Sequence, residues 1–192
     1  SEPVFIQSGE AMRDPTKQAE LTKELKTARN YLFVVGALMF TNSEIDNFKK
    51  PDRNAYQDGG FRIYSIKDKS APKLLSFVKT YARGVHRFDV DENYAYISTE
   101  MEGFSGNILV IYDISNPSKV IEVSRWWQPG QNVAAGEQPH ETTGKRRTRG
   151  GEDHALHHAM RCGDQMYAAC WFSGISIVDV SDIANPRTLG RH

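Results

Sequence analysis

The feature that most constrains this chain is a unit that occurs three times: a strand, a polar turn and a second strand. Gly60-Phe-Arg-Ile-Tyr-Ser-Ile66 leads through Lys67-Asp-Lys-Ser-Ala-Pro72 into Lys73-Leu-Leu-Ser-Phe-Val78. Gly106-Asn-Ile-Leu-Val-Ile-Tyr-Asp-Ile114 leads through Ser115-Asn-Pro-Ser-Lys119 into Val120-Ile-Glu-Val123. Gly174-Ile-Ser-Ile-Val-Asp-Val180 leads through Ser181-Asp-Ile-Ala-Asn-Pro186 into Arg187-Thr-Leu-Gly190. Aligning Tyr64, Tyr112 and Val178 spaces the copies by 48 and 66 residues. The longer interval holds a polar, Gly- and Arg-rich insertion over residues 128–151.

The segments before these units repeat as well. Gly84-Val-His-Arg-Phe-Asp-Val-Asp-Glu-Asn-Tyr-Ala-Tyr96 matches Ala155-Leu-His-His-Ala-Met-Arg-Cys-Gly-Asp-Gln-Met-Tyr167. Setting Tyr96 on Tyr167 sets His86 on His157, with His158 as the alternative one residue away. Residues 26–33 form a weaker copy without a histidine. Four short strands per unit, at roughly 40–50 residues, is the pattern of a propeller blade. Such a unit cannot bury its faces alone and stacks on its neighbours. An ordinary β-sandwich is the competing all-β architecture, but it requires no repeat of this length.

The expected fold is therefore an all-β propeller of four-stranded blades. About three blades are present, over residues 30–80, 84–127 and 152–192. Residues 1–29 form an N-terminal extension, in which Pro15 can open a short helix over residues 16–26. Residues 41–59 read as a long loop. A closed propeller takes about four to eight blades. The expectation is thus an incomplete ring that stops at His192 inside a unit, its missing blades supplied by another chain or by the rest of a longer polypeptide.

The repeated turn resembles the LVIVD-repeat family of β-propellers, most clearly in Ile111-Tyr-Asp-Ile-Ser-Asn-Pro117 and Ile177-Val-Asp-Val-Ser-Asp182. Trp127-Gln-Pro-Gly130, Gly136-Glu-Gln-Pro139 and His157-His-Ala159 resemble one subgroup of it. The resemblance implies a propeller and an exported, periplasmic or extracellular protein. It implies little about activity, because fold does not set function.

Composition excludes more than it selects. The 192 residues carry 24 basic and 24 acidic side chains, so the net charge offers no general attraction to nucleic acid or to an anionic membrane. No apolar run reaches the roughly 18 residues that span a bilayer. Gly-x-Ser-x-Gly, P-loop and dinucleotide fingerprints are missing, so no nucleotide cofactor is expected. The two cysteines, Cys162 and Cys170, flank a Gly163-Asp164 turn out of register. They are expected to be unpaired, buried thiols.

The histidines carry the sharpest functional expectation. His154, His157 and His158 fall within five residues, and His86 opens the equivalent strand. First strands of blades line the propeller channel. Histidines there converge on the axis and suit a divalent transition metal: zinc, iron, copper or manganese. In a regular strand His157 and His158 point to opposite sides, so only one of them can face the channel. Glu152 and Asp153 stand as acid/base candidates near a metal-bound water. Glu137 and His140 lie in a similar loop. Arg146, Arg147 and Arg149 form a basic run suited to an anionic substrate. Trp126, Trp127 and Trp171 are expected to pack between blades, and Tyr167 to be a core residue of its repeat.

Two functions follow from this reading. One is a metal-assisted enzyme with a His-lined axial site acting on a small molecule. The other is a non-catalytic propeller scaffold that presents its surface to a protein partner.

Overall fold

The computed structural model describes residues 32–44, 57–138 and 154–192. The expected helix over residues 16–26 lies outside them. The described residues form three four-stranded antiparallel meanders. The first holds β1 (Leu32–Val35), β2 (Leu38–Ser43), β3 (Gly60–Ser65) and β4 (Lys73–Lys79). The second holds β5 (Val85–Val90), β6 (Tyr94–Glu100), β7 (Asn107–Asp113) and β8 (Ile121–Trp126). The third holds β9 (Leu156–Cys162), β10 (Gln165–Cys170), β11 (Gly174–Asp179) and β12 (Arg187–Arg191). No helix among the described residues is long and apolar enough to cross a membrane.

The three sheets share one ladder. In each, the third and fourth strands pair with a single irregularity, and it falls just before the aligned residue. Tyr64 faces Leu74, Tyr112 faces Glu122 and Val178 faces Thr188, with the register shifting between each of these and the isoleucine before it. The alignment of Tyr64, Tyr112 and Val178 is therefore a structural equivalence.

The repeated Asp-x-Ser has a local cause. Asp113 Oδ1 accepts a hydrogen bond from Ser115 N at 2.8 Å, and Asp179 Oδ1 accepts from Ser181 N at 2.9 Å. The carboxylate closes the turn onto its own backbone, as Asx turns do. In the first sheet Asp68 receives Ser70 N in the same way at 3.0 Å.

The sheets stack face to face, with their first strands closest: β5 lies against β1, β2 and β9. Two apolar layers result. Phe40, Phe61 and Ile63 meet Val85, Phe88, Ile97, Ile108 and Val110 between the first two sheets. Tyr96, Leu109, Ile111 and Trp126 meet Leu156, Ala159, Met166, Ala168 and Val178 between the second and third. β7 lies in both layers at once, which is why Asn107-Ile-Leu-Val-Ile-Tyr-Asp113 is an unbroken apolar run instead of an alternating one.

Several expectations need correction. The loop expected over residues 41–59 starts too early, because β2 runs through Ser43. Its polar end is buried and bonded, with Asn42 Nδ2 donating to Val85 O at 2.6 Å. Cys170 is buried but Cys162 is exposed, because it sits beside the Gly163 turn; both are free thiols. Tyr167 is no core residue. It is 39% exposed, whereas its equivalent Tyr96 is 1% exposed. No fourth sheet among the described residues covers the face that Tyr167 occupies.

The described residues of the 128–151 insertion begin with a segment held against the sheets. Gln131 Nε2 donates to Ser105 O and Asn107 O, and Gln128 Nε2 donates to Ser176 Oγ. These buried amides tie residues 128–131 to the second and third sheets.

Candidate functional site

A second irregularity repeats, and it sets the site. In the β5–β6 ladder Val85 faces Thr99 and Arg87 faces Ser98, so His86 has no cross-strand partner. In the β9–β10 ladder Leu156 faces Cys170 and His158 faces Ala169, so His157 is the residue left over. His86 and His157 are thus the same bulged position in two sheets. A bulge re-aims its extra side chain. The choice between His157 and His158 is decided for His157.

The two rings meet edge to face, with centroids 5.1 Å apart. Trp171 lies over both, 4.9 Å from His157 and 6.1 Å from His86. It follows β10 and is 54% exposed, so it caps the imidazoles from the solvent side instead of packing in the core. Trp126 is buried between sheets as expected, and Trp127 meets Phe104 edge to face.

A carboxylate that sequence reading missed completes the cluster. Glu44, at the end of β2, places both carboxylate oxygens 3.0 Å from His86 Nδ1. Both residues are buried. A backbone bridge between Glu44 and Gly84 holds the two chain segments together. His86 Nε2, on the far side of the ring, is buried and has no hydrogen-bond partner among the described residues. Burial, and then the charges of His86 and Arg87, lower the pKa of His157 to about 4, so its ring is neutral near pH 7.

The other expected site residues go elsewhere. His158 turns between the sheets, where it bonds the Phe88 backbone; burial lowers its pKa as well. His154 Nδ1 pairs with Ser173 Oγ. Glu137 closes its own loop, accepting from Gly130 N, Asn132 N and Trp127 Nε1. His140, Arg146, Arg147, Arg149, Glu152 and Asp153 lie outside the described residues. Among the described residues, no three His, Cys, Asp or Glu side chains gather into a group that could hold a metal ion.

A sequence signal for Glu44 does exist. Ser43-Glu44 and Thr99-Glu100 stand at equivalent positions at the ends of β2 and β6, Glu44 just past its strand, since Met39 faces Tyr64 as Ala95 faces Tyr112. In the third sheet the same position is Trp171.

Sheets of this kind, repeated and stacked through their first strands, define blade-like units of β-propeller type. The LVIVD repeat family matches residues 82–127 and 162–192, so both stretches are LVIVD repeats. The first sheet lies outside both matches yet carries the same ladder. A search of curated proteins finds no match to the chain.

Proposed function

We propose that these blades build a propeller whose axial end binds a divalent transition metal through His86 and His157. One observation carries the reading: His86 is anchored at Nδ1 by a buried carboxylate, while its buried Nε2 stands unbonded beside a neutral imidazole. Metal-binding histidines typically hand their second ring nitrogen to a carboxylate in this way, which sets the tautomer and the ring orientation. The spacing also suits a shared ion. Nitrogens about 2.0–2.1 Å from a tetrahedral zinc put two ring centroids roughly 5 Å apart. Two protein ligands leave positions for water or a bound small molecule.

The expected result is stoichiometric zinc, copper, iron or manganese after loading and dialysis, read by elemental analysis. His86→Ala and His157→Ala should each reduce it to background while circular dichroism stays unchanged. Metal that survives both substitutions, or none in the parent protein, would sink the reading.

A second reading rests on a different observation. Tyr167, Ile175 and Met160 are exposed on the outer face of the third sheet. The equivalents of Tyr167 and Ile175 on the second sheet, Tyr96 and Leu109, are buried against the third. The occupant this face suits is a further four-stranded blade, whether from the same polypeptide or from another chain. Paired substitution of Leu109 and Ile175 tests it.

A further inference from the structure

Glu100 is buried at 5% exposure, at the register position of Glu44. The packing around the two positions also repeats. Asn42 donates to Val85 O across the first two sheets, and its equivalent Ser98 donates from Oγ to Leu156 O at 2.8 Å across the next two. Two residues beyond Asn42, just past β2, Glu44 meets His86. Two residues further along β6, Glu100 should meet His157 by the same geometry.

In this structure Glu100 is engaged by Arg83 instead. Arg83 Nε lies 3.5 Å from Oε1 and Arg83 N donates to Oε2 at 3.4 Å, both at the long end of the range. Arg83 is the residue three before His86; three before His157 stands His154, which bonds Ser173. The third sheet's counterpart of Arg83 thus bonds a serine where Arg83 bonds a carboxylate.

We infer that Glu100 is the second carboxylate of the axial site, the positioning partner of His157, and that Arg83 holds it away from that ring. The inference rests on the histidine site proposed above, and it assigns Arg83 and Glu100 opposite effects on that site. Removing the guanidinium releases the carboxylate to His157. Removing the carboxylate as well deprives that ring of its orienting acceptor.

Two measurements separate this inference from the metal reading. In metal-free protein, nitrogen-15 and proton NMR of the His157 ring should reveal a hydrogen-bonded N–H in Arg83→Ala and in Arg83→Gln. That signal should vanish in the double variant Arg83→Ala/Glu100→Gln. If it is missing from both folded Arg83 variants, or survives the loss of Glu100, the inference is overturned. In a zinc titration of the full chain, Arg83→Ala should tighten binding, and adding Glu100→Gln to Arg83→Ala should weaken it again about 10–100-fold, the usual effect of removing an outer carboxylate. Weakening by Arg83→Ala alone, or no loss on adding Glu100→Gln to it, would also overturn it. An NMR signal that behaves as expected in a protein that binds no metal would uphold the Glu100–His157 pairing and sink only the metal reading.

Discussion

Leu109→Ala is expected to cost roughly 2–5 kcal/mol of unfolding free energy, and Ile175→Ala less than about 1 kcal/mol, in denaturant titrations of the 192-residue chain. The two residues are equivalent, each three positions before the aligned Tyr112 or Val178. Leu109 is fully buried between the second and third sheets, and its truncation leaves a cavity there. Ile175 is 48% exposed on the outer face of the third sheet, where truncation removes little that was dry. The comparison also detects an occupant. If another copy covers that face in solution, the cost of Ile175→Ala will rise with protein concentration. If a longer form of the protein supplies a further blade, Ile175→Ala in that form will approach the cost of Leu109→Ala. A cost near 1 kcal/mol in both forms would remove the second reading.

Gly84→Ala is expected to destabilise the protein by about 3 kcal/mol or more, and to uncouple His86 from Glu44. Gly84 has a φ of +93°, which disfavours any side chain. A Cβ there would stand 2.2 Å from Ser43 O and 2.8 Å from Gly59 Cα, both of them backbone atoms that cannot swing aside. Relief requires the entry of β5 to move away from the end of β2, which is the contact that brings His86 to Glu44. Gly36→Ala is the control. It also has a positive φ, +58°, but nothing lies within 4 Å of the added carbon. It should cost about 1–2 kcal/mol, from the left-handed backbone alone. Equal effects of the two substitutions would show that the close approach at Gly84 contributes nothing. Metal content measured on both variants links the result to the site, because only Gly84→Ala should lower it.

Much of the fold is legible in the chain because its signals are local. Asp113 and Asp179 bond to serines two residues away, so the turn chemistry is written in adjacent residues. The apolar run Ile108–Ile111 reports burial on both faces of β7 without reference to any other segment. The site was legible only in part. His86 and His157 could be matched through Tyr96 and Tyr167. The adjacent His158 could not be set aside, because alternation assumes a regular strand and the bulge breaks it. Glu44 was hidden for a related reason: a polar stretch after residue 41 reads as loop, and its burial depends on β5 packing over it.

The amino-acid sequence by itself determined the repeated unit, its register at Tyr64, Tyr112 and Val178, and the turns that close it. Each of these rests on hydrogen bonds and periodicity within a few residues. Only the tertiary structure decided that His157 stands at the bulge equivalent to His86, that His86 meets Glu44, and why Tyr96 is buried while Tyr167 is not. The Glu44–His86 contact joins residues of different sheets, 42 positions apart in the chain. Tyr96 and Tyr167 occupy the same place in the same unit, and they differ because a sheet packs on one and none of the described sheets packs on the other. Burial is a property of the neighbour as much as of the residue, and no local pattern in the chain encodes the neighbour.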